Sequence, residues 1–173
     1  ELLVEGAAGV FAGGALDPAT AMLLEALELA PDASALDLGC GAGIIGMVAA
    51  RLAPRGAATL VDSNTLAVAL AGRNLAANGI ANARALASDG IAAVRGERFD
   101  AVLTNPPFHQ GRVQSDAVAR RFISEAREAL APGGALWMVA NRFLRYEPAL
   151  AEHFAAVREV AGDSRFKVLR ASL

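Results

Sequence analysis

The chain has 173 residues, 54% of them apolar and 20% charged, with a mean hydropathy of +0.38. That length and composition fit one domain over residues 1–173 and exclude a largely disordered chain. The net charge of −2 supplies no global basic field of the kind that marks many nucleic-acid binders. Alanine is abundant, and fifteen of the sixteen basic residues are arginine, so the placement of particular arginines is more informative than their number. The most apolar stretch, 44–50, stops at Arg51, well short of the roughly 18 uncharged apolar residues of a membrane span. A soluble protein is therefore expected. Cys40 is the single cysteine, which excludes an internal disulfide framework and fits a reducing, cytoplasmic setting. The two histidines, His109 and His153, are far apart and cannot form a zinc cluster with that thiol, so no metal is expected. The chain begins at Glu1 without an initiator methionine and reads as a piece of something longer.

Asp17-Pro18 reads as an N-cap followed by proline in the first turn, which predicts a helix over 18–29 closed by Pro31. A short buried strand over 35–38 runs into Gly39-Cys40-Gly41-Ala42-Gly43, and an apolar helix over 44–52 follows. A second strand over 57–61 ends at Asp62, and a helix over 64–78 stops at Gly79. A third strand, 84–87, ends at Ser88-Asp89-Gly90, and a fourth, 99–104, ends at Asn105-Pro106-Pro107-Phe108. A helix over 115–130, a fifth strand over 135–140, a short helix over 148–154 and a last strand over 166–171 complete the pattern. Strands alternating with helices predict a parallel sheet covered on both faces. Ligands of such sheets bind outside the carboxyl ends of the strands. Four of these ends are polar or glycine-rich, so they are expected to line one crevice.

Gly41-Ala42-Gly43-Ile44-Ile45-Gly46 matches G-x-G-x-x-G between a strand and a helix, with Asp62 about twenty residues on. On that much, a nicotinamide dehydrogenase is a live reading. Asp37 tilts against it, because a carboxylate ahead of the glycines would repel a pyrophosphate at the helix N-terminus. It suits a ligand that is cationic there and carries no phosphate, as S-adenosylmethionine does. The plainer alternative is that Asp37 only caps the turn through backbone amides. Cys40, between two glycines, reads as a small packing residue of the same loop.

Asn105-Pro106-Pro107-Phe108 is the stronger signal. Two successive prolines fix φ and remove two backbone donors, leaving carbonyls that only accept. The Asn105 amide oxygen and the Pro106 carbonyl can each accept one N–H of a planar amino group, while Phe108 stacks on its ring. Holding both hydrogens turns the nitrogen lone pair toward an incoming methyl without a strong base. A rigid loop around a buried phenylalanine is the alternative.

These residues resemble those of class I S-adenosylmethionine-dependent methyltransferases. The closer resemblance is to the catalytic half of the ribosomal RNA small subunit methyltransferase C family. It rests on Gly9-Val10-Phe11, Leu16-Asp17, the glycine turn and Asn105-Pro106-Pro107-Phe108-His109-x-Gly111. Val139-Ala140-Asn141-Arg142-Phe143-Leu144-x-Tyr146 and Arg165-Phe166-Lys167-Val168 add to it, so that it runs from about residue 9 to residue 171. It implies a Rossmann-like class I fold, an α/β architecture whose sheet is mostly parallel with helices on both faces. It also implies an enzyme that methylates guanine N2 of ribosomal RNA. Asp37, Gly39 and Gly41 to Gly43 would then hold the methionine part of S-adenosylmethionine, Asp62 the ribose and Asp89 the adenine amino group. Cys40, Ser63, Ser88 and Asn105 would complete the cofactor wall. Asn105, Pro106 and Pro107 would orient the acceptor, with Phe108 stacked on it. Full-length members carry a second, degenerate half before this one, so the chain reads as a catalytic half or a shorter relative with another substrate.

His109 reads as loop packing or an RNA contact, since guanine N2 sheds its proton readily after transfer. Arg112, Arg120, Arg121, Arg142 and Arg145 are candidate phosphate contacts near the crevice mouth, with solvated helix positions an equal alternative for Arg120 and Arg121. Ribosomal RNA or an assembled subunit is the expected partner. The competing readings are a large-subunit guanine-N2 enzyme, an adenine-N6 or protein glutamine methyltransferase, and a non-catalytic RNA-binding module.

Overall fold

The computed structural model describes residues 2–10, 16–107 and 113–173. In chain order it contains α1 (Pro18–Ala26), β1 (Ser34–Leu38), α2 (Ile44–Leu52), β2 (Ala57–Asp62), α3 (Thr65–Ala77) and β3 (Ala83–Ala87). A 3-10 turn (Ala92–Val94) leads into β4 (Phe99–Thr104), α4 (Val113–Ala129), β5 (Leu130–Asn141), α5 (Glu147–Ala151), β6 (Ala156–Gly162) and β7 (Phe166–Ser172). The strands form one sheet in the order β3-β2-β1-β4-β5-β7-β6. Among the described residues only β7 runs against its neighbours; β1 to β5 pair in parallel. The expected mostly parallel sheet with helices on both faces, the class I methyltransferase architecture, is the one observed.

Both faces are dry because alternate residues of the central strands serve opposite cores. In β5, Leu136, Met138 and Ala140 join α4 and α5 on one side. Ala135, Trp137 and Val139 join α1, α2 and α3 on the other. Trp137 and Met138, neighbours in sequence, thus lie in different halves of the core.

Three expectations need correction. α1 ends at Ala26 rather than at residue 29, because Leu27 already has extended dihedrals (φ −74°, ψ 123°) while its side chain stays buried. β5 starts at Leu130, directly after α4, and the Pro132-Gly133-Gly134 stretch lies inside it as a register shift between Phe99 and Ala101 of β4. β6 was not expected at all. It is an edge strand carrying Arg158 and Glu159, and most of it is exposed, so no apolar run marks it.

The register sets the site. Leu38 pairs with Val61, Asp62 with Ala87, and Asp37 with Leu103. Gly39, Asp62, Ser88 and Asn105 therefore leave their strands at one end of the sheet.

Candidate active site

A cleft of about 390 Å³ opens at that end. Its walls come from the expected strand ends, from Arg121, and also from Val10, Asp17, Thr20, Asn64 and Phe122, which sequence reasoning did not place there. Gly39, Cys40, Gly41, Asp62, Ser63, Ser88, Asp89, Asn105 and Pro107 all line it. Its volume lies within the ordinary range of small-molecule sites, about 300–1,000 Å³.

The glycine loop is held by its own backbone. Gly39 and Cys40 both donate to the Val61 carbonyl at 2.9 and 3.0 Å, and Gly43 donates to the Cys40 carbonyl at 2.8 Å. Gly43 has φ +86°, and a Cβ there would lie 2.9 Å from Leu60 and 3.0 Å from Ala71. Both the conformation and the space require glycine. Asp62 braces the loop from β2: its Oδ2 accepts from the Gly41 amide at 2.9 Å and its Oδ1 from the Asn64 amide at 2.8 Å. Each oxygen keeps a further lone pair for a ligand hydroxyl.

Asn74 braces it from α3. It is fully buried, donates to the Ala42 carbonyl at 2.9 Å, and accepts from the Glu5 amide at 2.8 Å. The signal for it was present, since Ala67, Leu70, Ala71, Asn74 and Leu75 share the buried face. A polar residue at a helical core position marks a buried hydrogen-bonding role.

Asp37 lies beneath the loop rather than in the cleft wall and is 1% exposed. Its Oδ2 accepts from the Gly46 amide at 2.8 Å, in the first turn of α2, while Oδ1 has no partner. Capping therefore describes one of its oxygens only. Burial, with the Asp62 charge adding to it, pushes its pKa up to about 7 against the pull of the Gly46 bond. The same burial, with the charges of Asp37 and Asp62, pushes the Cys40 thiol well up, so it is no nucleophile.

Ser88 is committed to its own turn, donating to the Gly90 carbonyl at 2.7 Å and accepting from the Ala93 amide at 3.0 Å. Asp89 is exposed and pairs with Arg121, which also meets Glu125 at 3.2 Å. Arg121 thus belongs to the cleft mouth rather than to a free solvated face. Burial raises the Glu125 pKa above the usual carboxylate value, with Arg121 opposing the shift.

Asn105 is half-buried. Its Nδ2 donates to the Thr20 hydroxyl at 3.0 Å, and its Oδ1, buried, has no partner. Pro106 is buried beside it and Pro107 is exposed. Phe108, His109 and Arg112 lie outside the described residues. Arg142 is exposed, but it is tied to Glu159 at 2.7 Å and to the Asp163 carbonyl at 2.5 Å. Its guanidinium is engaged at the edge of the sheet and does not line the cleft. Arg145 is exposed.

Among the described residues no group of three or more His, Cys, Asp or Glu could hold a metal. No helix there is long and apolar enough to cross a membrane.

A family model described as a methyltransferase small domain matches residues 1–170. The chain is 42% identical over 163 residues to the ribosomal RNA small subunit methyltransferase C of Hahella chejuensis, covering 94% of this chain and 47% of that protein. It is 40% identical over 165 residues to the ribosomal RNA large subunit methyltransferase G of Streptomyces avermitilis, covering 95% and 43%. Among solved structures it resembles the T. thermophilus 16S rRNA N2 G1207 methyltransferase in complex with AdoMet and guanosine. That likeness has a TM-score of 0.85 at 38% identity, covering 95% of this chain and 45% of the other. The chain spans about half the length of the curated relatives it matches.

Proposed function

Since the chain belongs to the methyltransferase small domain family, we propose that it transfers a methyl group from S-adenosylmethionine to the exocyclic N2 of a guanine in ribosomal RNA of the small subunit. The observation that carries this reading is the Asn105 Oδ1, a buried acceptor without a partner, set on a cleft built from the strand ends. An amino group is what such an atom lacks. The similarity to a 16S rRNA N2 methyltransferase in complex with AdoMet and guanosine supports the same atom.

The residues present fit the cofactor. The Gly46 amide in the first turn of α2 is already taken by the Asp37 carboxyl, and Asp62 lines the cleft, so a pyrophosphate finds there a taken amide and a like charge. Asp17, Asp62 and Asp89 line the cleft and favour a ligand that is cationic and rich in donors. Asp62 would take the ribose hydroxyls, Asp89 the adenine amino group, and the Gly39 to Gly43 loop the methionine end, with Asp37 acting from beneath it. S-adenosylmethionine would supply an electrophilic methyl carbon on a positively charged sulfur.

The chain's own residues supply position. Asn105 Oδ1 and the Pro106 carbonyl each hold one hydrogen of the guanine amino group, which turns its lone pair out of conjugation. The two prolines keep this pair of acceptors rigid. Because the amine becomes far more acidic as its new bond forms, water can take the proton, and no general base is needed before transfer. Catalysis on this reading is orientation in a shaped, dry site.

A large-subunit guanine is the second reading, favoured by the similarity to the S. avermitilis protein. Both are tested by incubating the protein with isotopically labelled S-adenosylmethionine and unmethylated small or large ribosomal subunits, then identifying labelled nucleosides by mass spectrometry. Label in N2-methylguanosine of the small subunit is expected. Label confined to the large subunit selects the second reading, and label in another nucleoside overturns the acceptor.

A further inference from the structure

We propose that Thr20 is a positioning residue for this reaction: it anchors the Asn105 amide through its nitrogen and leaves the oxygen free for the acceptor. The inference rests on the reading above and assigns a task to a side chain 85 residues from Asn105 in sequence.

A carboxamide is nearly symmetric in shape and opposite at its two ends. One end donates twice and the other only accepts. Reversing it costs little in packing, and a hydroxyl can bond either end, so what Thr20 supplies is a fixed anchor and what the acceptor's amino group supplies is the choice of end. Here the Asn105 nitrogen is bound to the Thr20 hydroxyl at 3.0 Å, and the oxygen, diverging from it across the planar group, is left buried and unpaired. The orientation therefore presents an acceptor. The reversed amide would set its NH₂ against the NH₂ of the base, donor against donor.

Thr20 is built to hold still. It stands in the first turn of α1, where the Asp17 carboxylate accepts from the Ala19 and Thr20 amides at 3.1 Å each. Ala19 and Leu23 are fully buried against the sheet, and Thr20 itself is 5% exposed. The hydroxyl thus comes from a capped, docked helix rather than from the acceptor loop.

The test compares the protein with Thr20→Val and Thr20→Ser. Thr20→Val is expected to lower kcat by about ten- to a hundredfold, the effect of one unmet buried hydrogen bond. Its S-adenosylmethionine affinity, by calorimetry, and its KM for small-subunit RNA should stay within about threefold. Thr20→Ser, which keeps the hydroxyl, should restore kcat. A Thr20→Val protein with unchanged kcat overturns the proposal, as does a folded Thr20→Ser protein as slow as Thr20→Val. Should Thr20→Val not fold, Thr20→Cys makes the same comparison, because a thiol accepts poorly.

The two readings fail separately. If the wild-type protein labels a different nucleoside, the guanine assignment falls and the same kcat comparison on that product still decides Thr20. If it labels nothing, the side-chain amide resonances of Asn105 decide. They should shift in Thr20→Val and return in Thr20→Ser; unchanged resonances overturn the contact.

Discussion

Asp37→Asn tests the electrostatics of the glycine loop most directly. The Asp37 carboxyl is held at about 7 against an ordinary 3.8, chiefly by burial. Between those two values the folded chain keeps a proton that the unfolded chain has released. Stability from this group is thus fully present below about pH 4, falls as pH rises through the window, and levels off above about pH 7. A shift of that size corresponds to about 4 kcal/mol. Against typical stabilities of about 5–15 kcal/mol this is a large fraction. The asparagine side chain cannot ionise, yet its carbonyl can still accept from the Gly46 amide that Asp37 binds at 2.8 Å. Urea denaturation of both proteins at pH 5, 6, 7 and 8 reads the difference, in which the other titrating groups cancel. The part of the window below pH 5 lies outside this range, so the variant is expected to gain on the parent by about 2–3 kcal/mol between pH 5 and pH 8. Two parallel curves would refute the reasoning.

The same carboxyl links to the ligand. A cation bound above the loop favours the ionised form, so binding of S-adenosylmethionine near pH 6.5 should expel a proton from Asp37. The calorimetric enthalpy should then change with the ionisation enthalpy of the buffer in the parent and not in Asp37→Asn. Buffer-independent heats in the parent would break this link.

Three further outcomes follow from single contacts. Asn105→Ala removes the unpaired acceptor and should lower kcat by about a hundredfold or more, with S-adenosylmethionine affinity within a few-fold by calorimetry; near-normal turnover refutes the assigned role. Gly46→Ala puts a Cβ 2.3 Å from the Leu60 Cγ, and Leu60 is fully buried. It should cost about 1–3 kcal/mol of stability in urea, and an unmoved midpoint would show that the helix shifts freely. Cys40, buried with its thiol pushed up by burial and two carboxylates, should react with iodoacetamide at pH 8 at least about a hundredfold more slowly in the native chain than in urea. Equal rates would show an open loop.

The strand ends were legible because each signals itself locally. A buried apolar strand followed by glycine, aspartate or proline can be read within ten residues, and Gly39, Asp62, Asp89 and Asn105 all fell where expected. Side chains that hold the site from a distance were not legible. Thr20 reaches Asn105 across 85 positions, Asn74 reaches Ala42 across 32, and Arg121 reaches Asp89 across 32. Nothing local to Thr20 separates it from any other threonine in a first helical turn. β6 was lost for the opposite reason. Its pairing with β7 carries a register shift between Glu159 and Ala161, and as an edge strand it buries little and its charges mask the alternation.

What the distant residues add is a common sign. Among the described residues three buried side-chain atoms lack a partner: Asp37 Oδ1, Asn105 Oδ1 and Glu125 Oε2. The Asn105 oxygen can only accept, and the two carboxyls accept when ionised. Asp37 lies under the cleft floor, Asn105 in its wall, and Glu125 against Gly90, which also lines it. An unpaired buried acceptor costs stability, and one set in the wall of a cleft is placed for a ligand to satisfy it. The Asn105 oxygen in the wall, with the carboxylates of Asp17, Asp62 and Asp89 that line the same cleft, calls for a ligand set that donates or carries positive charge. A phosphate does neither. An amino-bearing cation beside a base with a free NH₂ does both, which is why the cleft suits methyl transfer to an amine better than dinucleotide chemistry on the same glycine turn.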